Sequence, residues 1–169
     1  MLTVRRASEG DVGALALVGS ATFLETYALT LPGPDIVRHC AKAHVPEVYA
    51  RWLAAPDCAA WVAEAGTTVV GYAVLTPSAL PGVLPGDLEL QRIYLLSRFQ
   101  GTGGGRALVE AVAAEAHRRG GARLTLGMYA ENRPALAFYT RMGFEQIGTR
   151  EFRVGDRLCA DYVLGRPLP

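Results

Sequence analysis

The sequence predicts one α/β (α+β) domain over residues 1–169, built on a mixed, mostly antiparallel central sheet flanked by helices. Two observations predict it. Segments with strand patterning and segments with helical patterning follow in the order βαα(α)βββαβαββ, an interleaving that only a mixed architecture accommodates. The chain has 169 residues, half of them hydrophobic and a fifth charged, with a formal net charge of +1. That is enough to build a single core, and the near-zero charge with ordinary apolar content excludes intrinsic disorder as the main state.

The elements follow in order. Leu2 to Arg6 reads as a first strand. Ser8, with Asp11 three residues on, resembles a capping box, and Val12, Leu15, Val18, Thr22 and Phe23 recur at helical spacing towards Tyr27. Leu31-Pro32-Gly33-Pro34 breaks that helix. Ile36 to Ala43 and Glu47 to Leu53 read as two shorter helices separated by Pro46. Cys58 to Ala65 and Thr68 to Thr76 form a hairpin turning at Gly66, and the proline-rich stretch from Pro77 to Gly86 is a loop. Asp87 to Leu95 is a strand. Gly101 to Gly105 is a glycine loop, and Arg106 to Arg118 is a helix stopped by Gly120-Gly121. A strand over Arg123 to Tyr129, a helix over Pro134 to Met142 and a closing hairpin around Val154-Gly155-Asp156 complete the order.

Composition narrows the function. The balanced charge gives no electrostatic reason for a nucleic-acid partner. No apolar stretch approaches the roughly 18 residues of a membrane span, and the charged N-terminal segment shows no secretory signal, so no membrane partner and a cytoplasmic location are expected. The three cysteines, Cys40, Cys58 and Cys159, are odd in number and widely spaced, which argues against a disulfide scaffold. Lys42 is the only lysine, so a Schiff-base mechanism has no candidate elsewhere. His39, Cys40 and His44 cluster, but on a continuous helix a five-residue spacing separates the two histidines, so no metal is expected. No Gly-x-Ser-x-Gly nucleophile elbow is present.

The sharpest feature is Gln100-Gly101-Thr102-Gly103-Gly104-Gly105-Arg106, set between an apolar strand and an alanine-rich helix. Glycines let the backbone approach a ligand closely, and a helix start presents free N–H groups at the positive end of the helix dipole. Together they suit a phosphate or pyrophosphate. Arg106 stands where a P-loop needs Lys-Ser/Thr to follow the glycine, and where Gly-x-Gly-x-x-Gly needs its last glycine, so both nucleotide motifs fail. A plain strand–helix turn would need one or two glycines, not four in five positions.

Gln100-x-x-Gly103-x-Gly105 resembles the Gln/Arg-x-x-Gly-x-Gly/Ala signature of the GNAT superfamily of acetyl-CoA-dependent N-acetyltransferases, and Leu90 to Leu95 resembles its central strand. A second signature follows in the right order: Asn132-x-x-Ala135-x-x-Phe138-Tyr139-x-x-x-Gly143-Phe144 is similar to the superfamily's Asn-x-x-Ala-x-x-Phe-Tyr-x-x-x-Gly-Phe segment. Within the superfamily, Thr22 to Tyr27, Glu89 to Tyr94 and Gly155-Asp156 with Asp161 resemble the spermidine/spermine-type branch.

The resemblance implies the acyl-CoA N-acyltransferase fold and transfer of the acetyl group of acetyl-CoA to a primary amine by direct attack on the thioester. The acceptor it points to is a small molecule, a polyamine in the narrower likeness, and it allows a homodimer. It places the cofactor between the strand ending at Leu95 and the strand over 124–129. The pantetheine arm lies along Ile93, Tyr94 and Leu95, and the pyrophosphate on Gln100, Gly101, Thr102, Gly103, Gly104, Gly105 and Arg106. Asn132 joins the cofactor set; capping the following helix is its other reading, and the two are compatible. Glu89 becomes the candidate base, directly or through water, against the alternative of a solvent-facing strand glutamate. Tyr139 becomes the candidate acid and a cofactor contact, against that of a core aromatic.

Strand alternation places Glu89 and Gln91 on one face, opposite Leu88 and Leu90. Glu25, Tyr27 and Trp52 are candidates for the acceptor pocket, with amphipathic cover of the sheet as the alternative. Glu25, Asp87 and Glu89 are the carboxylates available to a cationic amine. A protein or peptide N-acetyltransferase, and an acyl-CoA sensor without turnover, remain the competing readings.

Overall fold

The computed structural model describes residues 1–154 and 156–169, with the backbone alone for Phe152 and Val154. Twelve main elements follow in order: β1 (Leu2–Arg6), α1 (Val12–Tyr27), α2 (Gly33–Ala43), α3 (Pro46–Ala54), β2 (Ala59–Ala65), β3 (Thr68–Pro77), β4 (Leu88–Leu95), α4 (Gly104–Arg118), β5 (Arg123–Tyr129), α5 (Arg133–Arg141), β6 (Glu145–Val154) and β7 (Arg157–Pro167). They reproduce the expected sequence of elements. The proline-rich break is shorter than expected: α2 begins at Gly33, because Pro34 falls in its first turn, where a missing N–H costs nothing. Gly104 and Gly105 belong to the first turn of α4 rather than to the loop before it. The final turn includes Gly155, which lies outside the described residues.

The strands form one seven-stranded sheet in the order β1-β2-β3-β4-β5-β7-β6. Every neighbouring pair is antiparallel except β4 and β5, which run parallel because α4 carries the chain back between them. That pair holds only two registered positions, Leu88↔Leu124 and Glu89↔Thr125. Beyond them the strands diverge, so the backbone edge of β4 from Leu90 onward has no strand partner on that side.

The sheet buries both faces. On one, Leu75, Leu90, Leu124 and Leu126 pack against Leu108, Val109 and Val112 of α4 and Tyr139 of α5. On the other, Val62, Tyr72 and Val74 pack against Leu15 and Val18 of α1 and Tyr49 of α3. A third cluster joins Phe23 and Tyr27 of α1 to Ile36 of α2 and Cys159 of β7. Among the described residues no helix is long and apolar enough to cross a membrane.

Candidate active site

The divergence of β4 and β5 opens a cleft of about 540 Å³. One wall is β4 from Leu90 to Leu95; the other is β5 from Leu126 to Tyr129. At one end lie Gln100, Gly101, Gly103, Gly105 and Arg106, together with Asn132, Phe138 and Tyr139 of α5. At the other lie Phe23 and Tyr27 of α1, His39 and His44, Arg150 and Asp161.

The glycine end has the geometry of a helix start open to a ligand. Gly103 adopts φ +90° and Gly101 φ +78°, conformations that a side chain would strain. A Cβ at either would meet nothing within 4 Å, so the glycines serve backbone conformation and ligand approach rather than packing. The first bond of α4 runs from Ala107 N to Gly103 O, which leaves the N–H groups of Gly104, Gly105 and Arg106 without a helical acceptor. Gly104 itself is buried, and a Cβ there would press on Leu2 and Leu95. Thr102 turns away from the cleft and donates its hydroxyl to Phe99 O at 2.6 Å. The Gln100 amide donates to Leu95 O at 3.2 Å and so satisfies the last carbonyl of the strand wall.

The strand wall carries a register shift. Val74 pairs with Arg92 but Leu75 pairs with Leu90, so Gln91 is an extra residue in a β-bulge. The bulge reverses the alternation: Leu90 shares its face with Ile93 and Leu95, towards α4, and Arg92 and Tyr94 turn towards α1 and α3. Glu89 and Gln91 still share the face opposite Leu88 and Leu90: Thr76, paired with Glu89, donates its hydroxyl to Gln91 Oε1 at 3.3 Å. Gln91 is exposed and lines the cleft, whereas Glu89 is 4% exposed and buried at the closed end where β4 and β5 last pair. The Glu89 carboxylate accepts Ala79 N at 3.4 Å. Burial pushes its pKa above the usual glutamate value; the Ala79 N–H, Arg150 and Ser78 pull against that shift.

Tyr139 is buried on α5, edge-on to Phe138 and Phe144, and lines the cleft. Burial raises the pKa of its hydroxyl, as does neighbouring Tyr94 across the gap, so it stays protonated at neutral pH. Asn132 lines the same end while its Oδ1 accepts Ala135 N at 3.1 Å, the helix cap read from the sequence.

The acceptor-side candidates separate. Tyr27 lines the cleft; burial raises its pKa, as does neighbouring Tyr94. Glu25 faces elsewhere: its two oxygens accept the backbone N–H and the hydroxyl of Ser97, at 2.9 and 2.7 Å, and tie α1 to the turn after β4. Trp52 packs beneath the Arg92 guanidinium, 4.8 Å from its ring centroid, outside the cleft wall. Asp87 is bound by Arg123 at 2.5 Å and by Leu84 N at 2.8 Å. The expected separation of His39 and His44 fails, because His44 caps the end of α2 rather than continuing it; the rings lie 5.7 Å apart. His44 Nδ1 is within 2.8 Å of the Tyr49 hydroxyl, and burial with nearby Arg92 holds its pKa down at about 3. Among the described residues no group of three or more His, Cys, Asp or Glu is placed to hold a metal.

Three cleft residues were not singled out as site residues from the sequence: Arg92, Arg150 and Asp161. Arg92 is held by Ala43 O at 2.6 Å and the Tyr49 hydroxyl at 3.1 Å. Arg150 lies over Gly127, where a Cβ would come within 2.5 Å of its guanidinium, and donates to Asp161 at 3.2 Å. The available signal was the alternation Cys159-x-Asp161-x-Val163, which places a carboxylate on the inward face of β7.

The profile of the acetyltransferase (GNAT) family matches residues 23–144, from α1 through the end of the α5 signature. The chain belongs to the GNAT family of acetyltransferases. An uncharacterised N-acetyltransferase of Mycobacterium tuberculosis is 34% identical over 162 residues, 94% of this chain and 98% of that protein. The ribosomal-protein-alanine N-acetyltransferase of Brucella melitensis superposes with a TM-score of 0.76 at 26% identity, covering 98% of this chain and 99% of that one. The PaiA N-acetyltransferase of Thermoplasma acidophilum, solved in complex with coenzyme A, shares the fold at a TM-score of 0.81 and 18% identity, with 99% of each chain covered. This GNAT protein is an N-acetyltransferase whose sheet and flanking helices follow the family architecture.

Proposed function

We propose that this GNAT enzyme transfers the acetyl group of acetyl-CoA to a primary amine of a small molecule, with polyamines as the acceptor class. The observation that carries the reading is the cleft itself: an unpaired strand edge over 90–95 leads directly to a glycine-lined helix start. An extended amide-bearing arm can add to that edge as a strand would, and a pyrophosphate can meet the free N–H groups of Gly104, Gly105 and Arg106. The Thermoplasma neighbour of the same fold was solved in complex with coenzyme A, which supports coenzyme A as the ligand.

Acetyl-CoA supplies an activated acyl group as a thioester. The chain's residues do the rest. The bulge at Gln91 leaves backbone groups in the cleft wall where a carbonyl oxygen can be polarised. Glu89 draws a proton from the attacking amine; because it is buried at the closed end of the cleft, that proton reaches it through an intervening water or hydroxyl. Tyr139 donates its proton to the departing sulfur.

Polyamine acceptors are supported by the likeness of residues 22–27 and 89–94 to that branch and by a carboxylate in the cleft wall. The test is thiol release from acetyl-CoA over a panel of polyamines, diamines, amino acids and short peptides with free N-termini. Polyamine-dependent release supports the reading. Release with peptides alone overturns the acceptor class in favour of the protein acceptor in the name of the Brucella neighbour. Acetyl-CoA binding without release on any amine makes the chain a sensor.

A further inference from the structure

The acceptor end of the cleft contains a carboxylate oxygen that the fold leaves unsatisfied. Asp161 sits on β7, paired with Tyr129 of β5, and is 3% exposed. Its Oδ2 accepts the Arg150 Nε–H at 3.2 Å. Its Oδ1 is buried and has no hydrogen-bond partner among the described residues. Buried carboxylate oxygens in folded proteins are normally paired, because each has given up its water.

We propose that Asp161 Oδ1 accepts an N–H from the ammonium group of the acceptor, and that this contact selects primary alkylamines as substrates. The inference rests on the amine-acetylation reading above and names the residue that recognises the amine. Three observations carry it. Among the described residues, Asp161 is the only carboxylate in the cleft wall; Glu25, Asp87 and Glu89 all stand outside it. An ionised carboxylate only accepts hydrogen bonds, and with Arg150 on Oδ2 the remaining oxygen calls for a donor. Beside the Arg150 guanidinium, this end of the cleft carries the rings of Phe23, Tyr27 and Tyr129, whose faces favour a cation over an anion. Burial raises the Asp161 pKa while Arg150 opposes the rise and favours the charged form that binding requires.

The binding step needs no chemistry, so it can be read without turnover. The test is calorimetric titration of the CoA-saturated protein with n-pentylamine, 1,4-diaminobutane and pentyltrimethylammonium. The wild type should bind the primary amines at least fivefold more tightly than the quaternary ion, which has no N–H to give. Asp161→Asn should weaken the primary amines at least tenfold and leave the affinity for CoA unchanged. Equal affinity for the primary and quaternary ions shows that the aromatic wall alone reads the charge, and overturns the inference. So does a folded Asp161→Asn protein that binds amines like the wild type, or a wild type that binds none. The comparison of the two ions uses the wild type alone, so it stands even if the variant fails to fold. Acetyl transfer is judged separately: a protein that binds acetyl-CoA and acetylates only peptides keeps its activity and loses this acceptor site.

Discussion

Glu89 and Thr125 are the last residues to pair before β4 and β5 part. The closed end of the cleft is stitched together around them. The Thr125 hydroxyl donates to Leu88 O at 3.0 Å and lies 2.8 Å from the hydroxyl of Ser78. Glu89 thus sits at the apex of the gap with its pKa raised by burial, in the field of Arg150. A base with a raised pKa is active only above that value. The acid limb of kcat/KM should therefore fall at a pH above the ordinary glutamate pKa of about 4.3. Glu89→Gln should lower kcat by about 10²–10⁴-fold with little change in acetyl-CoA affinity, the usual range for a general base. A pH–rate profile of both proteins checks this; an unchanged kcat removes Glu89 from the mechanism.

Tyr139 packs through its ring, edge-on to Phe138 and Phe144. Tyr139→Phe keeps those rings. Its melting temperature should stay close to wild type while kcat falls by roughly 10²-fold. Steady-state kinetics beside a thermal melt separate the two effects. A loss of stability with unchanged kcat would make Tyr139 a core aromatic only.

Gly103 combines a left-handed backbone with open space around its missing Cβ. Gly103→Ala should therefore cost the fold only the backbone strain, about 1–2 kcal/mol. Gly103→Glu meets the same strain and adds a negative charge beside the helix start. It should abolish acetyl-CoA binding in a titration that Gly103→Ala survives. Wild-type affinity in Gly103→Glu would move the pyrophosphate off this loop.

Glu115 on α4 holds Arg118 and Arg119, each at 2.8 Å, and lies 3.5 Å from Arg6 of β1. The hydrogen bond from Arg118, then that from Arg119, depress its pKa to about 2. A carboxylate with a lowered folded pKa stabilises the fold above its unfolded pKa, and that contribution disappears as pH falls through the folded value. Glu115→Gln should melt a few degrees lower at pH 7, since exposed arms limit such pairs to about 1 kcal/mol. The gap should close between about pH 4.5 and pH 2. A gap that persists at the acid end would locate the effect in packing.

The fold was largely legible before any coordinates. Helical spacing placed α1, glycines marked the start and stop of α4, and two hairpin patterns marked the strands at either end of the sheet. The cofactor end was legible for the same reason. Gln100 to Arg106 and Asn132 to Phe144 are continuous segments, and the properties that matter there, left-handed glycines and a capped helix start, are local. By itself, then, the sequence determined the order of elements, the glycine loop before α4 and the family. The acceptor end depended on the tertiary structure because its features arise between segments. The bulge at Gln91 exists only relative to the register of β3, so alternation within β4 could not reveal it. Glu25 is spent on Ser97, 72 residues away, and Asp161 is brought to the cleft by pairing with β5 and is half-neutralised by Arg150 across β6. A side chain's type and spacing can be read along the chain, but which of its polar atoms are left for a ligand is decided by partners that only folding brings together.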